Sequence, residues 1–191
     1  MANTNAGVAL ALTVAVLTGM AKAHHAPVRR HVVALPRSSP ERIEFGDTKT
    51  SVPVRPVRGR VADGANVLSR TRARTATWYE SGPSPGEAGP AVIMGYVDTG
   101  SGSAAFHRIA KMGAGDRVKV VRKDGRVAWF KVDSVRRVSR PSIPQGRTMS
   151  RAERPELRLI TWRGRPGQTR HDDPGNTVVS AHLVHASPSD R

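Results

Sequence analysis

The stretch that decides the fold of this chain is PELRLITWRG, residues 155–164. Within it, two leucines and a threonine alternate with Arg158, Ile160 and Trp162. Because successive side chains of a β-strand project to opposite faces, this two-residue period predicts a strand. The proline at its start and the glycine at its end mark the strand boundaries, since both residues interrupt regular structure.

The composition of the whole chain favours a small β-protein. Its 191 residues allow one domain behind an N-terminal extension, with enough length for a real core. Hydrophobic residues make up 38% and aromatic residues 4%, whereas glycine and proline number 18 and 14. This composition suits many short strands joined by turns better than a helical bundle.

The cysteine count and the charge exclude or disfavour several functions. The chain contains no cysteine, which excludes disulfides, thiolate metal sites and thiol catalysis. Its formal net charge is +16, which would suit a nucleic-acid binder because phosphate neutralisation dominates that kind of affinity. The arginines are dispersed, however, and no helix-turn-helix, zinc-finger or RNA-recognition motif accompanies them. We therefore favour an anionic lipid or cell-wall neighbourhood over a nucleic-acid partner.

The N-terminal segment predicts export. Residues 6–21 (AGVALALTVAVLTGMA) form an uncharged apolar run, shorter than the about 20 residues of a membrane-spanning helix. With the A-x-A-like sequence Ala21-Lys22-Ala23 behind it, the run fits a signal-peptide core. The residues before it carry no Lys or Arg, so a buried core helix is an alternative. We assign residues 1–23 to a signal peptide or membrane anchor, and we expect an extracytoplasmic protein, membrane-anchored or secreted.

The rest of the chain divides into a linker, a domain and a tail. Residues 24–34 contain Pro, His and Arg without periodicity, which predicts an extended linker. The folded domain is expected to span residues 35–185, and residues 186–191 form a tail.

Three further segments of the domain predict strands. Residues 91–98 (AVIMGYVD) form a continuous apolar run, and residues 176–181 (NTVVSA) form another. Residues 117–137 predict a hairpin with Asp124-Gly125 at its turn. Asp-Gly is typical of a type I′ turn, in which both central residues have positive φ.

Several segments, taken in order, resemble class F sortases, which are actinobacterial cysteine transpeptidases that anchor proteins to the cell surface. The phrases that carry the resemblance are LPRSSPERI at 35–43, GPSPGEAGPAVI at 82–93, FHRIAKMGAGD at 106–116 and PELRLIT at 155–161. The resemblance covers residues 35–184. It implies a closed, mainly antiparallel β-barrel of the sortase type with one or two short helices.

The catalytic positions of that family hold other residues in this chain. The resemblance places the family's His at Tyr96, its nucleophilic Cys at Trp162 and its Arg near Asn176, just before the last strand. The nearest guanidinium to the third position is that of Arg170, which we consider as a stand-in. Such groups act as a unit, so replacing two of them removes several orders of magnitude in rate. We therefore predict an inactive sortase-like protein that binds at most an extended sorting-type peptide or an anionic cell-wall polymer.

Other chemistries have weaker support. An active hydrolase or transpeptidase could use replacement residues, with His107 as a relocated base, and a basic nucleic-acid-binding module is the third candidate. The Gly/Ser stretch around Ser101 lacks the G-x-S-x-G pattern of a hydrolase. Five residues near the C-terminus could gather a cation: His171, Asp172, Asp173, His182 and His185. Their spacing matches no established metal motif, so we predict neither a metal nor a cofactor. The N-terminal segment would bring the protein to a membrane if it remains uncleaved.

Overall fold

The structure is a computed structural model, which describes residues 32–46, 51–58, 74–98, 104–138, 154–163 and 176–188. The predicted signal peptide or anchor at 1–23 lies outside these residues, as do Ser101, Arg170 and the group 171–173. Within the described ranges, no helix is long and apolar enough to cross a membrane. The chain divides into two compact units, Met1–Arg30 and His31–Arg191, and every described residue belongs to the second.

Eight strands make up the described part of the second unit. In chain order they are β1 (Pro40–Phe45), β2 (Ser51–Val57), β3 (Ala76–Tyr79), β4 (Gly89–Asp98), β5 (Arg117–Arg122), β6 (Arg126–Val138), β7 (Pro155–Arg163) and β8 (Asn176–Pro188). Helical structure in the same residues is limited to one 3₁₀ turn, Ile109–Lys111. The deciding stretch of the sequence is β7, and it begins at the predicted proline.

The strands close into a barrel in the order β1-β2-β3-β4-β7-β8-β6-β5, and β5 pairs back onto β1. Neighbouring strands are antiparallel except for β2 with β3 and β4 with β7, which are parallel. Closure leaves none of these eight strands at a sheet edge, so each is held on both sides by backbone hydrogen bonds. The predicted fold class, a closed and mainly antiparallel β-barrel with one or two short helices, is confirmed, and the 3₁₀ turn is the helical part among the described residues.

The β5–β6 hairpin forms where the sequence predicts it, but its turn differs. Gly125 has φ 73°, and its amide donates to the carbonyl of Arg122 at 3.1 Å. Among the described residues, no non-glycine residue has positive φ, so Asp124 does not take the left-handed conformation. The type I′ prediction, which requires two such residues, is therefore wrong. The loop between the strands has three residues, and in loops of this length a single left-handed glycine commonly completes the turn.

Strands β4 and β7 are buried on both faces, which positions the candidate site. Their inward side chains belong to the barrel core: Ala91, Ile93, Leu157 and Leu159. Their outward side chains, together with one residue that follows β4, form a second buried group, here called the outer cluster: Val92, Met94, Tyr96, Ala104, Ile160 and Trp162. Strands covered on both faces carry continuous apolar runs, which explains the uninterrupted AVIM sequence of β4.

A buried arginine connects the segment before β1 to two loops. Arg122, at the end of β5, is 1% exposed. Its guanidinium donates to the carbonyl oxygens of Pro36 and Pro85 and to both carboxylate oxygens of Asp124. Pro36 lies in the sortase-like phrase LPRSSPERI at 35–43, and Pro85 lies in the phrase GPSPGEAGPAVI at 82–93. These two sortase-like phrases therefore come together in a structural junction at the ends of strands, and each satisfies donors of the same buried cation.

Candidate functional site

The parallel pairing of β4 with β7 places Tyr96 directly beside Trp162. Their Cα atoms are register partners, and both lie near the C-terminal ends of their strands. Both side chains belong to the outer cluster, so they lie on the same face of the sheet. The two residues that the sequence marked from β4 and β7 are thus neighbours, although 66 positions separate them in the chain (162 − 96).

This pair is closed off from solvent. Tyr96 is 0% exposed and Trp162 is 3% exposed. Val57, Tyr79 and Val178 pack against the outer cluster from neighbouring strands. An indole offers one N–H donor and no nucleophilic lone pair, so Trp162 cannot attack a carbonyl carbon. The floor of the site is a packed apolar surface in place of a reactive side chain.

The segment that follows β4 returns over the end of that strand. The amide of Phe106 donates to the carbonyl of Tyr96 at 2.8 Å. The Phe106 ring lies so close to Gly95 that a Cβ on this glycine would come within 2.9 Å of the ring. Position 95 therefore accepts only glycine unless the ring moves. This close approach explains why glycine interrupts an otherwise apolar strand next to the candidate site.

His107, considered above as a relocated base, is half-buried in the turn that precedes the 3₁₀ segment. Its Nδ1 lies 3.0 Å from the carbonyl oxygen of Ala104. A carbonyl oxygen only accepts hydrogen bonds, so this contact requires the proton on Nδ1. The imidazole thereby holds its own turn together.

The start of β8 supplies the third side of the site. β8 runs antiparallel to β7 with Ile160 opposite Val178, and continuing this register places Asn176 beside Trp162. Asn176 alternates with Thr177 and so shares its face with Val178, which packs against the outer cluster. The residue is 0% exposed, and neither Oδ1 nor Nδ2 has a hydrogen-bond partner among the described residues. A neutral amide with two unsatisfied polar atoms therefore faces the site.

One hydrogen bond fixes the ends of β7 and β8 against each other. The hydroxyl of Thr161 accepts from the amide of Thr177 at 2.7 Å, and both residues are buried. This bond joins the positions adjacent to Trp162 and Asn176. It therefore holds the two flanking side chains in a defined relation.

Arg158 is a candidate site residue that sequence reasoning missed. It lies on the outward face of β7, between Val92 of β4 and Ser180 of β8. Its Nε is buried and has no hydrogen-bond partner among the described residues, and none of their carboxylates forms an ion pair with it. The sequence did contain one indication: Arg158 shares the two-residue period of Ile160 and Trp162, which places it on the same face of β7 as Trp162.

A sequence model of the Sortase domain matches residues 46–184 of this chain. The chain belongs to the sortase family. The match spans β2 to β7 in full and ends within β8, so it includes the whole candidate site. A comparison with curated proteins found no match.

Solved sortase structures share the barrel of this sortase-family chain. Sortase A from Listeria monocytogenes superposes with a TM-score of 0.56 at 14% identity, covering 81% of this chain and 92% of that one. The SrtA sortase from Actinomyces oris gives 0.54 at 19% identity, covering 87% and 89%. The T196V mutant of sortase E from Streptomyces avermitilis gives 0.50 at 19% identity, covering 81% and 93%. These similarities establish the fold, and they span more than one sortase class.

Some C-terminal residues considered for metal binding take part in other contacts. Nδ1 of His182 lies 2.7 Å from Oδ1 of Asp133, and both side chains are partly exposed. His185 is exposed and is the register partner of Trp129 on β6. Within the part of the chain that the structure describes, no three His, Asp or Glu side chains are grouped closely enough to hold a metal ion.

Proposed function

We propose that this sortase-family chain is an exported protein without transpeptidase activity, which binds at most an extended sorting-type peptide or an anionic cell-wall polymer. The observation that carries the proposal is the pair Tyr96 and Trp162, register partners that fill the floor of the site in a chain without cysteine. By resemblance, these positions hold the catalytic His and Cys of class F sortases, and we propose that class for this chain.

The absence of activity follows from the chemistry of the replaced groups. Transpeptidation needs a thiolate to attack a peptide carbonyl, an acid for the leaving amine and a donor for the developing oxyanion. Trp162 supplies no nucleophile, and Asn176 supplies a neutral amide where the resemblance places a cationic guanidinium. Because members of such a unit depend on one another, one surviving donor retains little of the rate.

Binding of a peptide or a cell-wall polymer is supported by the family, because sortases in general bind sorting-signal peptides and cell-wall precursors. Export is supported by residues 1–23 and by the cell-surface role of sortases in general.

The activity test uses LPxTG-type peptides with an amine acceptor and follows both cleavage and transfer by mass spectrometry. We expect neither product above background from the purified protein, while fluorescence anisotropy with the labelled peptide reports binding. A variant that combines Trp162→Cys, Tyr96→His and Asn176→Arg serves as the control for a competent barrel, and we expect slow hydrolysis from it. Turnover by the unmodified protein would contradict the proposal and favour the alternative of an active enzyme with replacement residues.

Export is tested separately, by fractionating the native host. We expect the protein in the membrane or outside the cell. Recovery of an intact protein that retains Met1 in the cytoplasm would refute export and would favour the alternative of a buried N-terminal helix.

A further inference from the structure

The outward face of β5 and β6 concentrates positive charge. On both strands, outward side chains alternate with core residues such as Val118 and Phe130. Four of the outward side chains are cations, and one aromatic residue lies among them. These five residues are here called the basic face: Arg117, Lys119, Trp129, Lys131 and Arg136.

Few carboxylates neutralise the basic face. Oε2 of Glu44 lies 3.7 Å from Nζ of Lys119. Asp133 follows on β6, but its two oxygens contact His182 and Arg154. Among the residues that the structure describes, the other three cations of the basic face form no ion pair, and all three are exposed. The basic face therefore offers an excess of positive charge to a ligand.

An accessible indole lies among these charges. Trp129 is the register partner of Lys119, whose ammonium lies 4.5 Å from the centroid of the ring. The other two tryptophans of the chain, Trp78 and Trp162, are 1% and 3% exposed, whereas Trp129 is partly exposed. An indole at a surface presents a large apolar area together with an N–H donor. A ligand that reaches the basic face can therefore pack on Trp129.

The basic face is elongated along β6. Trp129, Lys131 and Arg136 follow one another on the outward side of this strand, and the register shifts at Asp133 between the last two. Allowing for the residue that this shift takes up, the distance from the first to the last is about 20 Å. Arg117 lies opposite Lys131 on β5, with their Cα atoms about 5 Å apart. A row of this length fits a chain molecule with repeated negative charges better than a single small anion.

The indole distinguishes between classes of polyanion. Proteins that bind single-stranded nucleic acid stack successive bases on several aromatic side chains, and the basic face has one. Helices that lie on a bilayer bury apolar side chains in it, and the ring of Trp129 is partly buried beneath the ammonium of Lys119. A sugar ring, in contrast, has an apolar face of C–H groups that packs on one indole. Its acidic groups can then meet the neighbouring cations.

We propose that the basic face binds a linear anionic glycan. One sugar ring packs on Trp129, and Lys131, Arg136 and Arg117 hold the carboxylate or phosphate groups of neighbouring units. This inference rests on the function proposed above, and it gives the anionic polymer named there a surface and a backbone class. The basic face is separate from the pair Tyr96 and Trp162, which lies on β4 and β7.

The test uses oligogalacturonates long enough to span the basic face, and their methyl esters as the matched neutral glycan. The two ligands share a backbone and differ in charge. In calorimetric titrations at low salt, we expect the acid form to bind at least about tenfold more tightly than the ester, and we expect added salt to reduce this difference. Binding should also protect tryptophan emission from quenching by acrylamide, because Trp129 is accessible while Trp78 and Trp162 are buried.

Two variants separate the roles of charge and ring. Lys131→Gln combined with Arg136→Gln should weaken binding of the acid form by about tenfold and make it less sensitive to salt. The matched control combines Arg55→Gln with Arg74→Gln, which removes two positive charges from exposed positions outside the basic face and should change the affinity by less than about twofold.

Trp129→Leu should weaken binding of the acid form and the ester by a similar factor of about five, because packing on the ring does not depend on charge. It should also abolish the protection from acrylamide. If thermal unfolding shows that Trp129→Leu does not fold, Trp129→Phe keeps a smaller ring and should lose part of the affinity for both forms.

The outcomes distinguish this inference from the proposed function. Equal binding of acid and ester, or binding that the basic-face variants weaken no more than the control does, would overturn the inference. So would tighter binding to oligothymidylate or to vesicles of anionic phospholipid in parallel titrations, which would identify a nucleic acid or a membrane as the partner. In each case the absence of transpeptidase activity and the binding of a sorting-type peptide would still be decided by their own assays above.

Discussion

Replacing Asn176 by Leu should stabilise the folded protein, which is an unusual expectation for a fully buried polar residue. The side chains of Asn and Leu have the same number of heavy atoms and the same branching. Asn176 is 0% exposed, and both of its polar atoms are without a partner among the described residues. Folding therefore removes an amide from water without returning its hydrogen bonds, which costs about 1–3 kcal/mol in proteins.

The magnitude follows from removing this cost. Leu should recover part of the amide penalty and gain burial of its methyl groups, against some crowding in a packed cluster. We expect a net increase of about 1–2 kcal/mol in the free energy of unfolding. For a protein of this size, 1 kcal/mol corresponds to about 2–4 °C in Tm, so Tm should rise by about 2–8 °C.

The assay is chemical denaturation followed by Trp fluorescence, with Thr161→Val as the matched control. Thr161 is equally buried and lies in the neighbouring row, but its hydroxyl accepts from the amide of Thr177 at 2.7 Å. Valine keeps the shape and leaves that amide unpaired, so this variant should lose about 1–3 kcal/mol. If Asn176→Leu destabilises the protein as much as Thr161→Val does, the Asn176 amide has partners in the folded state and the reasoning is refuted.

Three further predictions concern the junction around Arg122. Arg122→Met should lower the free energy of unfolding by about 3–5 kcal/mol in chemical denaturation, because it leaves two carbonyls and a carboxylate without their buried cation. A loss below about 1 kcal/mol would contradict the stabilising role of Arg122 at this junction. Gly86→Ala should lower the free energy of unfolding by about 2 kcal/mol in the same assay, because φ at Gly86 is 105° and the new Cβ would lie 2.7 Å from Leu35 Cδ1. The control is Gly113→Ala, whose new Cβ meets nothing within 4 Å, and it should change the free energy of unfolding by no more than about 0.5 kcal/mol. Partial burial raises the pKa of Asp124, but the hydrogen bonds and charge of Arg122 lower it more, so the net shift is downward. The contribution of the Asp124 carboxylate to stability is therefore present above its unfolded pKa of about 4 and is lost as pH falls through the lower folded pKa. Asp124→Asn should flatten the decline in the free energy of unfolding below about pH 4. If the variant and the unmodified protein lose stability with the same slope, the shift is refuted.

Local patterns predicted the elements of this fold because they depend on near neighbours in the chain. The two-residue period of PELRLITW predicted β7, and the apolar run at 91–98 predicted β4. The order of the sortase-like phrases predicted the barrel. The β5–β6 turn was the exception, since Asp-Gly occurs in more than one turn type and loop length decides among them.

The candidate site could be predicted only in part. The resemblance marked Tyr96, Trp162 and Asn176, and the structure places all three at neighbouring ends of β4, β7 and β8. Arg158 escaped attention because an arginine on an alternating strand ordinarily faces water. Arg170 and the 171–173 group lie outside the described residues, and their roles remain predictions.

By itself, the sequence determined which residues form strands and that no thiol chemistry is available. The tertiary structure alone decided that β7 pairs in parallel with β4, that Asn176 is buried without a partner among the described residues and that Arg122 joins two distant phrases. The physical reason is that alternation specifies the face of each side chain but not the strand that will lie beside it. Strand partners, and with them the burial and hydrogen bonding of each polar atom, are set by contacts between residues far apart in the chain.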